Sequence, residues 1–261
     1  MTDFQQRIKN LIDGGQQVSR PEHGRYYELT DGTKLSRCTT YLRAGEEFFM
    51  PEKWQGASLI GTDCDQMARD YFVDGPDTLC KDDYKHMTQS AYNQLLNGLN
   101  HLADSLSDEW TVYADRLFLF SRELGVAGEI DLLFVNYLTE EVVVVDLKTV
   151  RSPQYMTPGS DKMKKYRQQL NIYREMAEEM MGGYPVKKLF VLPIHVAYPA
   201  YGDITTKAQF LDWIDVPNQD VVPAINEKWI ANKGMTAAEY LNKKEEDADD
   251  FDQWMSELQS L

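Results

Sequence analysis

The chain has 261 residues, enough to bury one full hydrophobic core with elaborations. Lys+Arg 27 against Asp+Glu 42 gives a formal net charge of −15, the wrong sign for a protein that coats nucleic acid nonspecifically. Cys38, Cys64 and Cys80 form no CxxC pair and are odd in number, so reduced thiols in a cytoplasmic compartment are expected rather than a disulfide framework. The opening residues are polar, against a signal peptide, and no apolar run approaches the ~20 residues of a membrane helix.

In chain order, Phe4, Ile8, Leu11 and Ile12 lie at helical spacing over 3–13, ending at Gly14-Gly15. Residues 25–42 hold two β-like runs around the hairpin signal Asp31-Gly32. Ser36, Thr39 and Thr40 then lead into a helix start, which can hold a phosphate or serve as an ordinary N-cap. Residues 61–72 read as a helix with Ile60, Cys64, Met67, Ala68 and Tyr71 inward. Asp63, two residues from Asp65, lies on another face from it. A second helix is predicted over 82–104, with Tyr84, Met87, Ala91, Leu95, Leu99 and Leu102 in register. His86 and His101 on it read as surface or packing residues. Trp110 to Ser121 reads as one strand flanked by Arg116 and Arg122.

The centre of the chain is Gly125 to Tyr173. Gly128–Val135 and Val142–Thr149 are short, β-branched or aromatic-rich runs, read as two strands joined by a hairpin-length linker. Each carries carboxylates in apolar surroundings, which is costly unless they are paired or bind a metal. Alternation puts Asp146 and Lys148 on one strand face, with Asp131 near the same end of the partner strand. Two carboxylates and an ammonium converging at a sheet edge suit a Mg²⁺ or Mn²⁺ ion beside a phosphate. From Lys148 to Arg174 there are seven bases and one acid, a window of +6 in a chain that is −21 elsewhere. The Pro/Gly loop 151–160 reads as a lid, with Tyr155 able to stack a base. A helix over 161–181 aligns Tyr166, Leu170, Tyr173 and Ala177, with Gln169 beside them.

After Gly182-Gly183, residues 187–196 read as a strand, with His195 a structural histidine. Phe210, Leu211 and Trp213 are expected to pack the core, and 224–243 to form one or two closing helices around Trp229 and Leu241. The tail from Lys243 has seven acids and two bases, with Phe251, Trp254, Met255 and Leu258 at i, i+3, i+4 and i+7. It reads as a segment that docks on a protein partner or on its own domain.

Asp131, then Asp146-Leu147-Lys148, preceded by GxxGxxD and followed by Gln169 and Tyr173 as QxxxY, resembles the PD-(D/E)xK nuclease superfamily and its RecB-like branch. The Ser36, Thr39-Thr40 opening resembles phage and mitochondrial-genome-maintenance-type exonucleases. The resemblance implies an α/β (α+β) fold: a restriction-endonuclease-like core with a central mixed β-sheet flanked by helices and an N-terminal helical elaboration. One domain is expected over 1–243, with N-terminal hairpin and helices (1–105), catalytic core (106–200) and closing helices (201–243), followed by the tail 244–261.

By the same resemblance, Asp131, Asp146 and the Leu147 carbonyl hold the metal, and Lys148 stabilises charge or orients water. Gln169 and Tyr173 position the nucleic acid or the lysine. Asp65 stands where GTxxH segments carry their histidine, as a harder ligand or the mark of a retuned site. Glu129 is expected behind the ligands. Ser36, Thr39, Thr40, Arg151, Tyr155, Lys162 and Lys165 are the nucleic-acid contacts. Three cysteines cannot supply the iron–sulfur cluster of some RecB-like enzymes. The implied activity is a DNA exonuclease on free, single-stranded ends in phage-type, replication or recombination processing. Two alternatives stay open: a nuclease-fold binding or scaffold protein with an acidic surface, and a structure-specific endonuclease.

Overall fold

A computed structural model describes residues 1–21, 26–44, 46, 55–115, 117–199, 202–241 and 243. Helix α1 (Asp3–Gly15) opens with a capping box, in which Thr2 and Gln5 each accept the other's backbone amide. Strands β1 (Val18–Ser19), β2 (Tyr26–Leu29) and β3 (Lys34–Arg37) follow, with β2 and β3 forming the expected hairpin. Helix α2 (Cys38–Leu42) is short; α3 (Gln55–Val73) buries Ile60, Cys64, Met67, Ala68 and Tyr71, the face the periodicity predicts.

Helix α4 (Gln89–Ser105) starts at Gln89, not Asp82. Residues 81–83 form a 3₁₀ turn, Met87 bridges Thr205, and the Thr88 amide donates to the Thr205 carbonyl. Those pairings hold the backbone extended until the Thr88 hydroxyl accepts from Ala91 N and caps the helix. Tyr84 and Met87 are buried in the same core without being helical.

The single strand expected over 110–121 is two, β4 (Trp110–Tyr113) and β5 (Leu117–Ser121). Arg116, between them, lies outside the described residues. The next expected strand is likewise two, β6 (Val126–Ile130) and β7 (Leu132–Asn136), broken at Asp131. Leu117 pairs Ile130 while Tyr113 pairs Leu133, so the 114–116 side carries one residue more across the corner. That is a bulge, and the ribbon bends there from one sheet into another. Strand β8 (Glu141–Val150), α5 (Asp161–Met180) and β9 (Lys188–Ala197) form a parallel crossover unit. Two strands lie in the stretch read only as core packing: β10 (Lys207–Phe210) and β11 (Ile214–Val216), both on β9. Helix α6 (Val222–Lys233) buries Trp229, whose indole N–H donates to the Tyr41 carbonyl at 2.8 Å. The tail 244–261 lies outside the described residues.

The described strands make two mixed sheets rather than one: β1-β2-β3-β6-β5, and β10-β9-β8-β7-β4 with β11 on β9. Val142 and Val144 of β8 pack on the side of α1, α5 and α6, whereas Val143, Val145 and Leu147 pack on the side of α3 and α4. Both faces are covered, which is why the run is valine-rich without alternation. Trp213 is 38 % exposed, edge-on to Phe134 and Phe190, rather than buried. It helps line a cleft of about 350 Å³ with Trp110 and Leu106 that contains none of the candidate site residues. No described helix is long and apolar enough to cross a membrane.

Thr88→Ala removes the cap of α4 and is expected to lower stability by about 1 kcal/mol, read from urea unfolding midpoints.

Candidate active site

The site forms where β7 leaves β8. The β7–β8 ladder ends at Leu132 opposite Val145, while β8 continues to Val150 on β9 alone. Beyond Val145 one edge of β8 is therefore open. Asp131, at the corner, sends its carboxylate into this opening, where Oδ2 accepts the Leu147 amide at 2.7 Å. Asp146 and Lys148 share the face of Val142 and Val144. Lys148 Nζ lies 2.6 Å from Asp146 Oδ2. Asp146 is 2 % exposed, and the approach lacks hydrogen-bond alignment, so Oδ2 has a charge partner but no aligned donor. The Lys148 ammonium offsets part of the cost of burying that carboxylate, and a further cation or a proton would offset more.

Burial, then the neighbouring Asp131, pushes the Asp146 carboxyl up to about 7 against the pull of Lys148. Burial likewise raises Asp131, opposed by Lys148, the Leu147 amide and Arg69. On Lys148 burial acts downward, but Asp146, Asp131 and Asp65 outweigh it, so the ammonium is held protonated.

Helix α3 crosses the open edge. At Gly61 an added Cβ would lie 3.2 Å from Thr149 Oγ1, so the glycine admits the helix close to β8. Asp65, one turn on, is raised well above the ordinary carboxyl range by burial and by Asp131 and Asp146, with Lys148 and Arg69 opposing. Arg69, one further turn along, pairs through Nη1 with Glu129 Oε1. Asp63 is engaged elsewhere: His86 N donates to it at 2.6 Å and His86 Nδ1 lies 3.1 Å away.

Helix α5 roofs the cluster. Gln169 Nε2 donates to the Tyr173 hydroxyl at 2.8 Å. An added Cβ at Gly128 would meet Tyr173 Cε1 at 2.7 Å and Cys38 Cβ at 3.0 Å, so only glycine lets α5 and α2 close on β6. The Lys148 ammonium lies 5.5 Å from the Tyr166 ring centre.

The donor set fits a hard divalent cation. Asp131 and Asp146 supply oxygens, and Asp146 Oδ2 is buried without an aligned donor. Among the described residues no three His, Cys, Asp or Glu side chains gather as a ready-made cage. A Mg²⁺-type ion, which keeps several waters, needs only one or two protein carboxylates.

A family model for the PD-(D/E)XK nuclease superfamily matches residues 47–261. The chain belongs to the PD-(D/E)XK nuclease superfamily. A search of curated proteins returns no match. Nucleases of this superfamily act on DNA and generally use divalent metals such as Mg²⁺ or Mn²⁺. The match begins after α1, the β2–β3 hairpin and α2. Those elements nevertheless pack on the nuclease core: Phe4, Ile8, Leu11, Cys38 and Tyr41 share one cluster with β-strand and α5 side chains.

In this nuclease the expected nucleic-acid contacts scatter around the cluster. Ser36 is buried, its hydroxyl toward the Arg37 carbonyl, while Thr39 is exposed and Thr40 half-buried. Tyr155 is 45 % exposed, with the Lys162 ammonium 4.9 Å from its ring centre. Arg151 stands 5.2 Å over Tyr198, and Lys165 is exposed on α5. Sequence reasoning missed Arg69, Cys38 and Tyr198 as neighbours of the site. Arg69 alone had a local signal, its place one turn after Asp65 on the same helix face.

An unfolded aspartate titrates near 3.8 and the folded Asp146 near 7. Between those values the folded state holds the extra proton, so its stability falls as pH rises. In EDTA the protein is expected to lose about 1–3 kcal/mol between pH 4 and pH 7.5, and Asp146→Asn to show a flatter profile, read by urea unfolding.

Proposed function

We propose that this nuclease hydrolyses DNA phosphodiesters from free ends, with single strands preferred, in replication- or recombination-type processing. The observation that carries the reading is the meeting of Asp131, Asp146 and Lys148 at the open edge of β8, beneath Gln169 and Tyr173. Asp131 and Asp146 are the metal ligands. The N–H and C=O of one strand residue point to the same edge, so the Leu147 carbonyl faces the opening with its amide and joins them. Asp65 completes the acidic side of the site from α3. A divalent ion bound there lowers the pKa of a coordinated water and offsets charge on the attacked phosphate.

Lys148 is held protonated, so it donates to the phosphate or the water rather than taking a proton. The Gln169 amide donates to the Tyr173 oxygen, which leaves the Tyr173 proton free to donate in turn. Tyr155, Arg151, Lys162 and Lys165 offer a stacking face and cations along the path of a strand. Thr39, exposed, and Thr40, half-buried, add hydroxyls at the start of α2. The preference for free ends rests on the likeness of the Ser36, Thr39-Thr40 opening and the QxxxY helix to exonucleases of this type. The acidic tail 244–261 is assigned to a protein partner on its charge and apolar spacing.

Asp146→Ala and Lys148→Ala are each expected to reduce cleavage of an end-labelled single strand in Mg²⁺ or Mn²⁺ by at least about 10²–10³-fold. Folding should be retained, as checked by circular dichroism. Wild-type cleavage by either variant removes the assignment. A covalently closed circle should survive under conditions that digest the linear strand; a nicked or linearised circle makes the enzyme an endonuclease.

A further inference from the structure

Asp65 sits midway along the face of α3 that meets the sheets. One turn before it, Gly61 lies against Thr149 at the end of β8. One turn after it, Arg69 pairs with Glu129 on β6, two residues before Asp131. The Arg69–Glu129 pair therefore forms a rung beside Asp65 and Asp131, joining the same two elements. Both partners are largely covered, with side chains 19 % and 30 % exposed, and Arg69 Nε is buried with no hydrogen-bond partner. A covered ion pair with an unsatisfied donor is a poor source of stability, and the best-attested use of such pairs is to fix registry. Arg69 also acts electrostatically on both Asp65 and Asp131.

We propose that the Arg69–Glu129 pair is a positioning latch that seats α3 on β6 and so holds Asp65 toward the Asp131–Asp146 metal site. The inference rests on the nuclease reading of that site. Arg69 is a positioning residue; it acts through Asp65. The pair is charge-neutral as a unit, so removing both charges leaves the net charge around the cation unchanged, and the exchanged pair tests whether the bridge itself does the positioning.

The test is Mn²⁺ binding, read from the free-ion electron paramagnetic resonance signal without any cleavage, with thermal unfolding alongside. In R69Q/E129Q the Mn²⁺ midpoint should rise about tenfold, the scale seen when groups behind a metal ligand are removed. In the exchanged pair R69E/E129R it should return to within about threefold of wild type. A neutral pair that binds Mn²⁺ like wild type overturns the latch, as does an exchanged pair that stays as weak as the neutral one. Should the neutral pair not fold, Glu129→Asp keeps every charge and shortens the arm by one methylene; an unmoved midpoint there overturns the latch too. A wild-type chain that binds no Mn²⁺ overturns the nuclease site itself and the latch with it, whereas wild-type binding with an unmoved neutral pair overturns the latch alone.

Discussion

The structure turns on the hydrogen bond from the Leu147 amide to the Asp131 carboxylate. It stands where the next rung of the β7–β8 ladder would be, and it is made by a side chain rather than by backbone. The ribbon of β4–β5 against β6–β7 can then bend into a second sheet without leaving that amide unpaired. The bend leaves β8 with one open edge from Asp146 to Val150. The placement of the Asp131 carboxylate, the sheet corner and the open edge of β8 are consequences of one local substitution of partner. Had β7 continued in register, Asp131 would have been an in-ladder residue opposite Asp146, and a strand would have filled the space for a phosphate.

Charge bookkeeping at this corner is instructive. Asp65, Asp131, Asp146 and Glu129 carry four negative charges when ionised, against two positive ones from Lys148 and Arg69. The excess matches one divalent cation. Without a cation, protons supply the balance: burial raises all three aspartates, with Asp131 adding to the rise of Asp65 and Asp146, and Glu129 to that of Asp131. Lys148 cannot be the group that yields, because the same carboxylates hold its proton. A proton or a divalent cation would each offset that deficit; the apolar strand makes it costly, and the carboxylate oxygens suit a hard ion.

Much of this was legible in the residues. The valine run with Asp146 and Lys148 two apart fixes strand and face, and the inward faces of α1 and α3 followed from their periodicity. The sheet switch was not legible. Period-2 patterning runs unbroken through Ile130-Asp131-Leu132, and a bulge changes pairing without changing the pattern. The start of α4 was not legible because Tyr84 and Met87 continue the helical period, although the backbone at His86–Thr88 is held by Thr205, over a hundred residues on. Cys38 against Tyr173 and Arg69 against Glu129 are likewise contacts between distant segments. The family resemblance singled out Asp131, Asp146 and Lys148, but those partners belong to the packing of this chain.

Asp65 and Arg69 are best understood together. In the GTxxH segments that this helix resembles, a neutral imidazole stands at the position of Asp65. A carboxylate there adds a negative charge beside Asp131 and Asp146, where burial already disfavours ionisation. Arg69, one turn along the same face, pulls the Asp65 carboxyl down against burial, while Glu129 fixes the place of Arg69. Asp65, Arg69 and Glu129 therefore form one unit of three residues: the carboxylate, the cation that lowers it and the acid that seats that cation.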